Sequence, residues 1–129
     1  MRWYVGPTGR VDDEVNEQIQ DEQPDDQNDH DAYRQARALL LDGRPVEAAQ
    51  IAARLERREQ LPESWLEVVA QAYIGSAQLG NAERVLRRLI AQAPVNGWAH
   101  RALARTLERR SAGAEATRYH RLADGFGVA

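Results

Sequence analysis

ESWLEVVAQAYIGSAQLGNAERVLRRLIAQAPVN, residues 63–96, decides the fold. Leu66, Val69, Ala70 and Tyr73 fall three or four apart, the apolar stripe of an amphipathic helix. Ala82, Leu86 and Leu89 continue the same spacing in a second helix. Leu79-Gly80-Asn81 marks a turn between the two, and Ala93-Pro94-Val95-Asn96-Gly97 marks the stop after them. Small residues tie this segment to its neighbours with a period of 34. Ala36, Ala70 and Ala104 form one column, and Ala48, Ala82 and Ala116 form another. Such a period is the mark of stacked two-helix units, each burying its apolar face on the next.

Working outward, Asp42-Gly43-Arg44-Pro45, Leu61-Pro62-Glu63-Ser64 and Arg110-Ser111-Ala112-Gly113 supply the remaining breaks. The pattern predicts six helices in three pairs: 30–42 with 45–59, 63–79 with 82–93, and 97–110 with 114–124. The expected fold class is all-α.

These units resemble the tetratricopeptide repeat over about 100 residues. With repeats at 29–62, 63–96 and 97–129, the middle one carries the family's large and small residues as Leu66, Val69, Ala70, Tyr73, Ala82, Leu86, Leu89 and Pro94. The first matches with Ala36, Leu39, Gly43, Ala48 and Leu55, and the third with Leu103, Ala104, Leu107, Ala116 and Ala123. His100 and His120 depart from the pattern, standing where the family places bulky core residues, and a packed neutral imidazole is the expectation for each. The resemblance implies three antiparallel helical hairpins stacked as a right-handed superhelix. The small columns would then be the points where paired helices cross closely.

In that frame the first helix of each hairpin lines a concave groove. The resemblance assigns Tyr33, Arg34 and Arg37 of the first unit to it, Gln71 of the second, and Trp98, Arg101 and Arg105 of the third. Arginine forks there suit carboxylates, and Tyr33 and Trp98 would be aromatic anchors. Trp98 has a second reading, as a packing residue against the preceding hairpin. One subgroup of the family clamps chaperone C-terminal carboxylates at positions held here by Tyr33, Arg37, Val68, Trp98 and Ala102. Only one of these is basic, so that specificity is not carried over.

Composition narrows the chemistry. The 129 residues include no cysteine, which excludes disulfides, thiol catalysis and Cys-based zinc sites. All 17 basic residues are arginine, so a lysine Schiff base or a P-loop lysine cannot form. The three histidines show no metal-ligand spacing, and no nucleotide-binding or nucleophile motif is present. The expectation is a protein that is not an enzyme, with no cofactor and no metal. No run of eighteen apolar residues exists, and the start lacks a signal peptide's apolar run. The expected location is the cytoplasm, with no membrane partner. A second-helix arginine pattern (Arg54, Arg57, Arg58; Arg84, Arg87, Arg88; Arg118, Arg121) reads as a solvated convex face. With a net charge of −3, it argues against nucleic acid.

Charge is divided unevenly. Residues 1–31 carry ten acids against Arg2 and Arg10, a net −8, while residues 32–129 carry ten acids against fifteen arginines, a net +5. Residues 1–28 therefore read as an acidic, partly disordered arm holding a Trp3-Tyr4-Val5 patch and a short helix over 11–20. A polar linker is expected over 21–31. At the other end, no residues remain for a capping helix, so Tyr119, Leu122 and Phe126 are expected to form an exposed docking face.

Together these expectations describe an adaptor that holds a peptide or helix of another protein, with acidic segments among its candidate partners. The alternative is a structural subunit or homo-oligomer that docks through the last hairpin.

Overall fold

A computed structural model describes the backbone of residues 12–128 and the side chains of residues 27–128. The Trp3-Tyr4-Val5 patch and Val11 lie outside the described residues. The chain is all-α: α1 (Asp12–Leu41), α2 (Pro45–Glu56), α3 (Glu63–Gly75), α4 (Leu79–Gln92), α5 (Gly97–Arg109) and α6 (Gly113–Gly125). No strand occurs among the described residues.

Two compact units divide the chain, residues 1–32 and 33–129. The first is described from Asp12 onward and is helical throughout. Asp12, Asp13 and Glu14 open α1. The helix continues through 21–31, so the linker expected there is instead part of α1. Extending a formed helix gains one hydrogen bond per residue, and polar composition alone does not stop it. Pro24 removes one backbone donor without ending the run.

In the second unit the helices pack in chain order, α2 on α3, α3 on α4, α4 on α5 and α5 on α6. The period of 34 reappears as geometry. Leu41, Gly75 and Arg109 end α1, α3 and α5, and Pro45, Leu79 and Gly113 begin α2, α4 and α6. Each of these three turns closes in the same way. The amides of Arg44, Gln78 and Ala112 donate to the carbonyls of Leu39, Tyr73 and Leu107, at 2.8 Å in every case. The preceding residue turns left-handed: Gly43 at φ +74°, Ala77 at +61° and Ser111 at +65°. The middle turn therefore falls at Ser76-Ala77-Gln78, three residues before the expected Leu79-Gly80-Asn81, and Gly80 lies in the first turn of α4. Ser76 Oγ reinforces the closure by donating to the Ala72 carbonyl at 2.7 Å.

All six alanines of the two columns are buried. Around them Leu55, Leu66, Val69, Val85, Leu86, Leu89, Leu103 and Leu107 are almost wholly excluded from solvent. Gly75 permits one close approach, because a Cβ there would lie 2.7 Å from Pro45 Cβ. The end of α3 can thus sit against the start of α2.

Polar bridges connect successive second helices. Glu56 on α2 accepts from Arg84 of α4 and, at 2.8 Å, from the phenol of Tyr73 on α3. Burial first, and the Glu56 carboxylate second, push the Tyr73 phenol up to about 12. Arg88 donates to the carbonyls of Glu56, Arg58 and Glu59, satisfying acceptors left over at the end of α2. Arg87 bridges Glu83 and Glu115 and donates to the Tyr119 hydroxyl at 3.2 Å. Burial opposes its charge, but the bonds to Glu115, Glu83 and Tyr119 outweigh that and raise its pKa. Arg84, Arg87 and Arg88 therefore link helices, where a merely solvated face was expected.

Candidate functional site

A cavity of 610 Å³ lies between α3 and α5. From α3 it takes Gln71, Ile74 and Gly75, which share a face because they are three or four residues apart. From α5 it takes Trp98, Arg101, Ala102, Arg105, Thr106 and Arg109, the same periodicity over three turns. Val128, beyond α6, completes the wall. A volume of this size suits a few side chains of a ligand.

Asn96 fixes how α5 enters the site. Its side-chain oxygen accepts from the Ala99 amide at 3.0 Å, an N-cap. Its Nδ2 donates to Glu63 and Glu67 on α3, each at 2.7 Å. One side chain thus caps α5 and ties it to α3, which sets the position of Trp98 two residues later.

Of the groove residues expected from sequence, the cavity brings together Gln71, Trp98, Arg101 and Arg105. Tyr33, Arg34 and Arg37, all on α1, are not among its lining residues. Tyr33 is half-buried and stacks on Trp65, with ring centroids 5.0 Å apart and planes 10° from parallel. It is a packing contact, not an open anchor. Trp98 is half-buried and lines the cavity.

Arg101 is committed within the fold. Its guanidinium donates to Asp124, to the Val128 carbonyl at 2.8 Å and to His120 Nδ1 at 2.7 Å. Its side chain is only 14% exposed. The expected carboxylate fork at this position is therefore a brace that secures α6 and the residues after it.

Arg105 and Arg109 differ. Both line the cavity and both are exposed. Among the described residues, neither has an ion-pair or hydrogen-bond partner. Sequence reasoning reached Arg105 and passed over Arg109. The spacing of four from Arg105 was the available signal, since it puts both on one face of α5.

The expected C-terminal docking face is divided. Tyr119 is buried, contrary to expectation, because Arg87 bonds its hydroxyl and Arg118 lies over its ring, 5.5 Å from the centroid. Leu122 and Phe126 are exposed, at 36% and 41%. Phe126 also stacks on His100 at 5.4 Å. His100 is the packed imidazole expected: buried, hydrogen-bonded to the Pro94 carbonyl through Nε2 at 2.8 Å, and also stacked with Tyr119, ring centroids 6.0 Å apart. His120 is not in the core; it is half-buried and bridges Arg101 and Glu108.

A second cavity of 590 Å³ follows the 58–62 loop, where the Gln92 amide donates to the Leu61 carbonyl. Its polar groups serve the turn between α2 and α3. Among the described residues, no group of three or more metal-ligating side chains is placed to hold an ion, and no helix is long and apolar enough to cross a membrane.

Compared with protein-family models and with curated proteins, the chain matches none.

Proposed function

We propose that this chain is a non-enzymatic adaptor of the tetratricopeptide type, which holds a peptide or helix of a partner protein between α3 and α5. In this reading the helices form three antiparallel hairpins wound as a right-handed superhelix, with the cavity on the concave side. The cytoplasmic setting belongs to the same proposal. The observation that carries it is the 610 Å³ cavity, whose walls come from first helices of two successive units. The repetition of helix ends and turn closures every 34 residues supports the repeat assignment. Rigid hairpins would reduce the ordering cost of binding, because the wall is already formed.

Exposed Leu122 and Phe126 favour a second reading, in which the chain is a subunit that docks through α6. Affinity capture from native lysate separates the two. Gln71 is exposed at the cavity, so Gln71→Trp fills the space without disturbing the core. A partner held by the wild type and lost by this variant supports the adaptor. A partner kept by Gln71→Trp but lost by Leu122→Glu/Phe126→Glu moves recognition to α6.

A further inference from the structure

The fold uses most of its well-placed arginines on itself. Arg84, Arg87, Arg88, Arg101 and Arg110 each bond acids, carbonyls or a hydroxyl of other helices or turns. Arg105 and Arg109 stand apart from these, because they meet at a cavity and have no partner among the described residues. They are four residues apart on α5, so their stems rise from one face, about 6 Å apart along the axis. The cavity's apolar lining is Ile74 of α3, across from them, with Trp98 and Ala102 of α5 itself and Val128.

Resting on the adaptor reading, we infer that the cavity takes a peptide segment in which acidic side chains adjoin an aliphatic or aromatic anchor, and that Arg105 and Arg109 are its specificity-determining residues. The anchor enters beside Ile74 and Trp98, where displacing water favours an apolar group. The carboxylates meet the two guanidiniums, each a planar fork suited to paired acceptors. Glu108, the acid between them in sequence, pairs with His120, so an acidic ligand meets two like charges whose mutual repulsion it reduces as it binds. Gln71 adds an amide that can both donate to and accept from a peptide backbone. A nucleic acid would share the cations, yet the two guanidiniums without a described partner at this largely apolar cavity make a small electrostatic footprint for a polyanion.

The test is selection of random dodecapeptides on display particles against the full chain, followed by titration of the winning peptides by fluorescence polarisation. The expected peptides are enriched in Asp or Glu next to Leu, Ile, Phe or Trp. Binding should weaken about tenfold or more in Arg105→Gln/Arg109→Gln and fall with added salt. It should be unchanged in Arg57→Gln/Arg121→Gln, which removes the same charge elsewhere. Both positions of the active pair are exposed, so circular dichroism should report an unaltered fold. Peptides lacking acids, or bound equally by the Arg105/Arg109 variant, overturn the inference. If such peptides still fail on Gln71→Trp, the adaptor reading survives without it. Peptides indifferent to Gln71→Trp, or no selected peptide at all, overturn both. A single-stranded oligonucleotide that displaces the peptides and binds more tightly than they do would also overturn the inference.

Discussion

Arg101 Nη2 donates to the backbone carbonyl of Val128, 2.8 Å away and 27 residues further along the chain. The same guanidinium reaches Asp124 and His120, so one side chain of α5 holds the end of α6 and the residues after it. Gly97 is the steric complement of this bond. A Cβ there would collide with Val128 Cγ2 and lie 2.9 Å from Phe126 Cβ. Because Val128 lines the cavity, the brace also shapes the candidate site.

Arg101→Ala should therefore destabilise the protein by about 1–3 kcal/mol, the range for losing charge-assisted bonds that are partly shielded from water. Arg101→Lys should recover little, since a compact ammonium lacks the two separated nitrogens with which the guanidinium spans His120, Asp124 and the Val128 carbonyl. Asp124→Asn should cost less than about 1 kcal/mol, because Asp124 is largely exposed. Urea unfolding measures the three, and amide exchange at residues 126–128 should quicken in Arg101→Ala. Equal midpoints for Arg101→Ala and wild type would remove the brace from the account.

Among the described residues, the two non-glycine positions in the left-handed region offer a gain in stability. Ala77 and Ser111 occupy turns that Gly43 makes without strain. Ala77→Gly and Ser111→Gly should each stabilise by up to about 1 kcal/mol, relief of the Cβ clash exceeding the added freedom of the unfolded chain. Ala53→Gly, inside α2, should instead cost about 1 kcal/mol. Thermal or urea midpoints give the signs. A loss at both turn positions would contradict the geometry.

Alkaline stability should report on Tyr73. Its phenol is pushed up to about 12 from the ordinary 10, chiefly by burial and then by the bond it donates to Glu56. The folded state therefore keeps a proton that the unfolded state has released. That contribution is complete below pH 10 and is lost as pH rises toward 12. The chain has no lysine or cysteine to add its own titration in this window. Unfolding midpoints taken across the window should fall more steeply for wild type than for Tyr73→Phe. Parallel slopes would assign the alkaline loss to another group.

Sequence by itself determined the repeating frame. Alanine columns, apolar stripes and turn residues are local and periodic, so they mark six helices and place most of their ends within a few residues. The misplacement of the middle turn is instructive. Gly80 is the obvious local stop, but the chain turns at Ala77, where three backbone closures 34 residues apart impose a common geometry. The expected 21–31 linker failed for a related reason, since composition describes solubility and not whether a formed helix stops.

Only the tertiary structure decided which arginines are available. In the sequence Arg101, Arg105 and Arg109 are equivalent, four residues apart on one helix. The fold brings Asp124, His120 and the Val128 carbonyl to the first of them and leaves the other two at the cavity without a described partner. It likewise buries Tyr119 through Arg87, 32 residues distant, while Leu122 remains exposed. Helical periodicity is set by neighbours along the chain and can be read from it. Whether a charge is satisfied depends on groups that only folding brings together.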